Sequence, residues 1–111
     1  MEAYFSAVSL AHSQGELKAH LFINVPPEER NPSYLANATK AAIDKRSVDS
    51  FNTALQTAIA NFSKQHKDAI VLSYDAHAFF TKVLDNPKQY GFKNTTGYCT
   101  CDDDSYFWYS M

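Results

Sequence analysis

Glycine is scarce in this chain, with Gly15, Gly91 and Gly97 the only three among 111 residues. No Gly-rich loop stands where it would cradle a phosphate, which argues against nucleotide binding. No serine lies in a Gly-x-Ser-x-Gly elbow either, so the strained strand-to-helix turn that exposes many nucleophilic serines is missing. Cysteine is limited to Cys99 and Cys101, one residue apart. A bridge between them is strained, and partners outside the chain are at least as natural, so both stand as disulfide candidates with their pairing open. With no histidine nearby they make no metal set. Long apolar runs are absent as well, none approaching the roughly 20 residues of a spanning helix. The opening Met-Glu-Ala-Tyr-Phe-Ser lacks the basic start and continuous apolar core of a signal peptide, which read alone keeps the chain in the cytoplasm. Ten basic residues against twelve acidic ones give a net charge of -2. That balance offers neither a stripe for nucleic acid nor a polybasic patch for a membrane, and no cofactor is expected.

What is present is apolar material for one compact domain or a piece of one, at 45% hydrophobic residues. Tyr4, Phe5, Val8 and Ala11 repeat on one face and predict a helix over 2–18, broken near Gln14-Gly15. Leu21-Phe22-Ile23-Asn24-Val25 is a short apolar run without alternation, stopped by Pro26-Pro27, as expected of a parallel strand over 21–25 covered on both faces. Residues 26–46 form a long loop, either functional or carrying a short helix of its own. Val48, Phe51, Leu55, Ala58, Ile59 and Phe62 predict a helix over 47–66, with Ser47 as N-cap and His66 and Lys67 as cations at its end. A second strand over 69–74 and a helix over 76–84, capped by Asp75, precede a C-terminal loop. Two strands joined by a helical crossover make a parallel βαβ unit, whose ligands bind at the C-terminal strand edge.

Few residues offer chemistry. Asp75 and His77 suggest a carboxylate-oriented base, but residues two apart at a helix start diverge by about 200° around the axis. A capping Asp75 and a half-buried His77 are the plainer interpretation. Cys99 as a nucleophile is opposed by Asp102, Asp103 and Asp104, which repel a thiolate, and a redox role for the Cys-x-Cys pair meets the same objection. Asn37, Asn61 and Asn94 each open an N-glycosylation triplet, which points to secretion and against the cytoplasmic reading. The terminal Tyr106-Phe107-Trp108-Tyr109 run is expected to be continued by further chain, since four aromatics at a frayed end would lack burial. The competing expectation is that it closes a small domain as a strand.

The order Leu21-Phe22-Ile23-Asn24-Val25-Pro26-Pro27 with Arg30 and Pro32, then Val71 to Phe92, Asn94-Thr95-Thr96-Gly97-Tyr98-Cys99 and Tyr106-Phe107-Trp108, resembles secreted fungal GDSL-type (SGNH) ester hydrolases over nearly the whole chain. The resemblance implies a portion of a flavodoxin-like three-layer α/β/α fold with parallel strands. It also implies an extracellular enzyme acting on small esters or acetylated carbohydrates through a serine acyl-enzyme. The family's Gly-Asp-Ser block, oxyanion Gly and Asn, and closing Asp-x-x-His block find no match here, and Ser110 falls near the place of the triad Asp, so no catalytic residue is carried over. Pro26, Pro27, Phe107 and Trp108 are the expected rim of the ester pocket. The alternative is a non-catalytic α/β remnant or interaction module.

Overall fold

Phe5, Val8 and His12 lie on one side of the first helix, α1, which runs Glu2–Gln14 and leaves Tyr4 exposed. In the computed structural model, which describes residues 1–110, α1 belongs to a first unit made of Met1–Asn24 and Asp49–Asp75. The second unit comprises Val25–Val48 and the chain from Ala76 onward.

The helix ends four residues before the expected position 18, because Gly15 closes it. Its N–H reaches the Ala11 carbonyl at 3.0 Å while its backbone turns extended. A Cβ on Gly15 would lie 2.6 Å from the Ala11 oxygen, inside any allowed contact. Gly15→Ala is therefore expected to destabilise the fold by about 1–3 kcal/mol, read as a lower urea midpoint at unchanged slope.

Strand β1 (Ala19–Ile23) starts two residues earlier than the apolar run indicated, since it is pairing that sets its length. It lies parallel to β2 (Ile70–Tyr74) in a register running from Ala19 opposite Ile70 to Ile23 opposite Tyr74. Phe22 points into a core with Leu55 and Phe62. Phe5 stacks on Phe22 at 5.3 Å between ring centroids and meets Phe62 edge-on at 6.1 Å, so α1 and the end of the second helix cover the same sheet face. The other face departs from expectation. Leu21, Ile23, Ile70 and Leu72 are 56–60% exposed, and Tyr74 stands beside them. Two-sided burial does not occur within the described residues because both helices lie on one side.

The second helix, α2, spans Ala38–Gln65 and so begins nine residues before the expected start at 47. Asn37 explains the early start, its Oδ1 accepting the Lys40 N–H at 3.0 Å as an N-cap does. The alanines at 38, 41 and 42 carry the helix onward. Ser47, the expected cap, instead donates its hydroxyl to the Ile43 carbonyl at 3.1 Å inside the helix. Asn37→Ala should cost about 1 kcal/mol and Asn37→Ser almost nothing, a difference that thermal unfolding followed by helical circular dichroism would resolve.

In the second unit, single 3-10 turns occupy Glu28–Arg30 and Pro32–Tyr34, so the expected loop is partly ordered. Helix α3 (Ala76–Asp85) turns Ala76, Val83 and Leu84 inward. After it comes a 3-10 turn over Pro87–Tyr90, ended by Gly91 at φ 85°, a left-handed conformation suited to glycine.

The expected C-terminal loop holds two strands, β3 (Asn94–Cys99) and β4 (Tyr106–Tyr109), paired in parallel. A connection of a dozen or more residues is usual for parallel neighbours, yet here residues 100–105 suffice. Asp103 organises that short return, with its Oδ1 accepting the Ser105 N–H at 2.9 Å and hydroxyl at 2.6 Å. These bonds hold the Asp103 carboxyl below its ordinary range. A Cys99–Cys101 disulfide closes the start of the same turn. The two cysteines thus pair with each other, the arrangement that seemed strained from spacing alone.

Candidate functional site

The C-terminal ends of β1 and β2 bring Asn24 and Asp75 together in the first unit. The Asn24 N–H donates to the Tyr74 carbonyl at 3.3 Å, prolonging the ladder, and its side-chain amide donates to Asp75 Oδ1 at 2.8 Å. Asp75 is exposed, so this places an oriented carboxylate at the strand edge where α/β sheets bind ligands. Sequence reasoning took Asn24 for a strand residue only. Its position directly before Val25-Pro26-Pro27, where the strand must end, was the available signal. His77 is half-buried at the start of α3, with its carbonyl taking the Thr81 hydroxyl at 2.7 Å.

All four expected rim residues fall in the second unit. Pro26 is half-buried, whereas Pro27 is fully buried instead of facing solvent. Phe107 sits among aromatic rings, edge-on to Phe80 at 5.6 Å and to Phe92 at 5.2 Å. The neighbouring Trp108 donates its indole N–H to the Thr95 carbonyl at 3.1 Å. The aromatic run that was expected to need burial from further chain is a strand whose Tyr106, Phe107 and Trp108 are half-buried.

A polar network lies near the 3-10 turns. The Asn31 side chain accepts the Ser33 N–H at 2.8 Å and also receives the Tyr98 hydroxyl, while Ser33 Oγ and Tyr98 Oη are 2.7 Å apart. Tyr34 donates to Asp44 at 3.3 Å, and loss of water, with the neighbouring carboxylate adding to it, pushes the Tyr34 phenol up. Arg30 holds Asp85 at 2.6 Å, an ion pair exposed enough to contribute at most about 1 kcal/mol.

The sequon asparagines differ in their use. Asn37 caps α2, Asn61 is exposed on the same helix, and Asn94 Oδ1 accepts the N–H groups of Thr96 and Gly97 at 3.1 and 2.9 Å.

Three of the four histidines converge on the first unit, which the sequence reading did not anticipate. His12, only 2% exposed, places Nε2 3.0 Å from Asp68 Oδ1 and Nδ1 3.2 Å from the Leu17 carbonyl and 3.1 Å from His20 Nε2. His66 stands edge-on to it at 4.8 Å between ring centroids. Lys18 takes the other carboxylate oxygen of Asp68 at 3.2 Å. Hydrogen bonds from His12 and Lys18 hold the Asp68 carboxyl down at about 2.

No protein-family model matches the sequence. The chain is 28% identical over 112 residues to a protein named acetylesterase from Thermothelomyces thermophilus. The similarity takes in 99% of this chain but 36% of that protein, so the chain spans about a third of its relative's length. What is shared is thus a distant likeness along the whole chain to part of an ester hydrolase. The structure is α/β with short parallel strands.

Proposed function

We propose that these residues form part of a GDSL-type (SGNH) serine ester hydrolase of flavodoxin-like α/β/α build, acting on acetyl esters of small molecules or carbohydrates, with its nucleophilic serine outside the 111 positions. The observation that carries this reading is the end-to-end similarity to an acetylesterase over a third of that protein's length. Two features support it. The exposed sheet face of Leu21, Ile23, Ile70 and Leu72 suits a middle layer whose second covering comes from other parts of a domain. The Asn24–Asp75 pair marks a C-terminal strand edge, the ligand side of open α/β sheets.

In this reading the chain contributes scaffold and rim. Pro26, Phe107 and Trp108 keep partial surface for an acyl or sugar group, whereas the buried Pro27 offers none. The carbonyl is attacked by a serine oxygen, and the tetrahedral oxyanion is held by donors supplied elsewhere. Secretion belongs to this reading, supported by the three sequons and by a disulfide that an oxidising compartment would preserve.

The exposed sheet face equally favours a second reading, an interaction module that covers it with a partner protein. An alkyl fluorophosphonate separates the two. Applied to these residues within a longer reading frame, it should phosphonylate one serine outside positions 1–111, located by peptide mapping. A label on a serine of this chain, or none on the longer protein, would remove the hydrolase reading.

A further inference from the structure

We infer that His12, His66 and Asp68 form a binding site for a divalent transition-metal ion of the Zn²⁺ class. The placement of side chains around His12 leads there, with Asp68 Oδ1 3.0 Å from its Nε2 and the His66 ring 4.8 Å away between centroids. The Leu17 carbonyl and His20 Nε2 lie 3.2 and 3.1 Å from His12 Nδ1, so that nitrogen is engaged by groups other than Asp68. Without a metal, Nε2–H donates to the Asp68 carboxylate at 3.0 Å, and a metal ion would take the place of that proton. The ring is 2% exposed, and an electropositive centre between its Nε2 nitrogen and the carboxylate is what this arrangement requires. A proton or a metal ion meets that need, and His66 favours the metal because it brings a third donor that a proton has no use for.

The geometry is close to what a metal requires. One ligand atom from each of His12, His66 and Asp68 falls within 4.8 Å of the other two. Zinc bonds of roughly 2.0–2.1 Å set neighbouring ligand atoms about 3.3 Å apart in a tetrahedron, near the 3.0 Å already present between His12 and Asp68. His66 has to close the remaining gap, and it lies half-buried at the end of α2, beside an exposed Asp68 that can follow. The buried His12 is the fixed point. With a metal on Nε2, Nδ1–H would face the Leu17 carbonyl, the kind of outer contact that orients metal-bound imidazoles.

His20 Nε2 lies 3.1 Å from His12 Nδ1, the ring nitrogen that does not face Asp68, so it is not among the ligands. Lys18 occupies Asp68 Oδ2, so the carboxylate offers the metal one oxygen. Two imidazoles and a single carboxylate oxygen leave a fourth position for water, and this nitrogen-rich set suits Zn²⁺, Co²⁺ or Ni²⁺ better than Mg²⁺ or Ca²⁺. The ion would join α1 to the α2–β2 connection, with the ligands 54 and 56 positions beyond His12 in sequence. Spacing alone carried no sign of it, because His12 lies far from the His66-x-Asp68 pair and His66 reads as an ordinary cation at a helix end. The site stands whether or not the chain belongs to an ester hydrolase.

The test is titration of the purified 111-residue chain with Co²⁺, followed by visible absorption, and with Zn²⁺, followed by calorimetry. One equivalent should bind, with the Co²⁺ bands of a four-coordinate site and a raised thermal midpoint. His66→Gln and Asp68→Asn, which alter residues outside the packed core, should each weaken Zn²⁺ by at least about tenfold while staying folded by circular dichroism. His77→Gln, the histidine outside this cluster, should bind as the parent does. Absence of stoichiometric binding, or affinity unchanged in both His66→Gln and Asp68→Asn, would overturn the site and leave a proton as the ion between His12 and Asp68.

Discussion

Phe62→Ala is expected to lower the stability of the chain by about 3–5 kcal/mol, the largest effect of any single substitution in the first unit. Phe62 is 2% exposed and lies where both helices meet the sheet. Its ring contacts Phe5 and Phe22 at 6.1 Å each, His20 at 5.2 Å, His12 at 5.8 Å and His66 at 4.6 Å between centroids. Truncation removes the hydrophobic transfer gain and leaves a cavity walled by rings that cannot collapse together, since each is held by its own helix or strand. Domains of this size are stable by only about 5–15 kcal/mol, so such a loss is a large share of the margin. Urea unfolding would read it, with Phe51→Ala as the comparison. Phe51 is on the same helix but 45% exposed, and its loss should cost under about 1 kcal/mol.

Self-association of the isolated chain is the second expected result, abolished by Leu21→Lys combined with Leu72→Glu. These leucines are opposite each other in the parallel register and both face solvent. With Ile23, Ile70 and Tyr74 they make a contiguous apolar sheet face. Among the described residues no further strand joins either edge of the pair, a template for pairing with another copy. Sedimentation velocity should show dimers or larger species for the parent chain at tens of micromolar and a monomer for the double variant. The introduced charges sit opposite each other with opposite sign, so the pairing itself is preserved. A monomeric parent chain would mean that this face does not require covering.

The elements of the first unit were legible because their signals are local. Apolar spacing placed α1 and the later half of α2, and short β-rich runs placed both strands to within two residues. Their parallel pairing followed from the helix between them. The early start of α2 was not legible, because the cap at Asn37 precedes a run of alanines and charged residues with little apolar periodicity. Strands β3 and β4 were hidden for another reason. Their parallel return over six residues breaks the usual length rule and depends on Asp103 and the disulfide. Thr95, Thr96, Tyr98 and the Tyr106–Tyr109 run nevertheless had the composition of strands.

The candidate sites divide in the same way. Asp75 was noticed as a carboxylate at a strand end, but its partner Asn24 is 51 positions away and becomes visible only once the strands pair. The histidine cluster is assembled from α1, β1 and the end of α2, so no spacing rule reaches it.

The measurement that bears most directly on the central claim is hydrolysis of p-nitrophenyl acetate by the 111-residue chain beside the same residues carried in the flanking reading frame. The longer protein is expected to turn the ester over, and the 111 residues alone to stay at the background rate. Loss of a nucleophilic serine typically removes about a millionfold from such catalysis. Saturable turnover by the 111 residues themselves, abolished by Asp75→Ala or His77→Ala, would contradict the account and put the chemistry inside this chain.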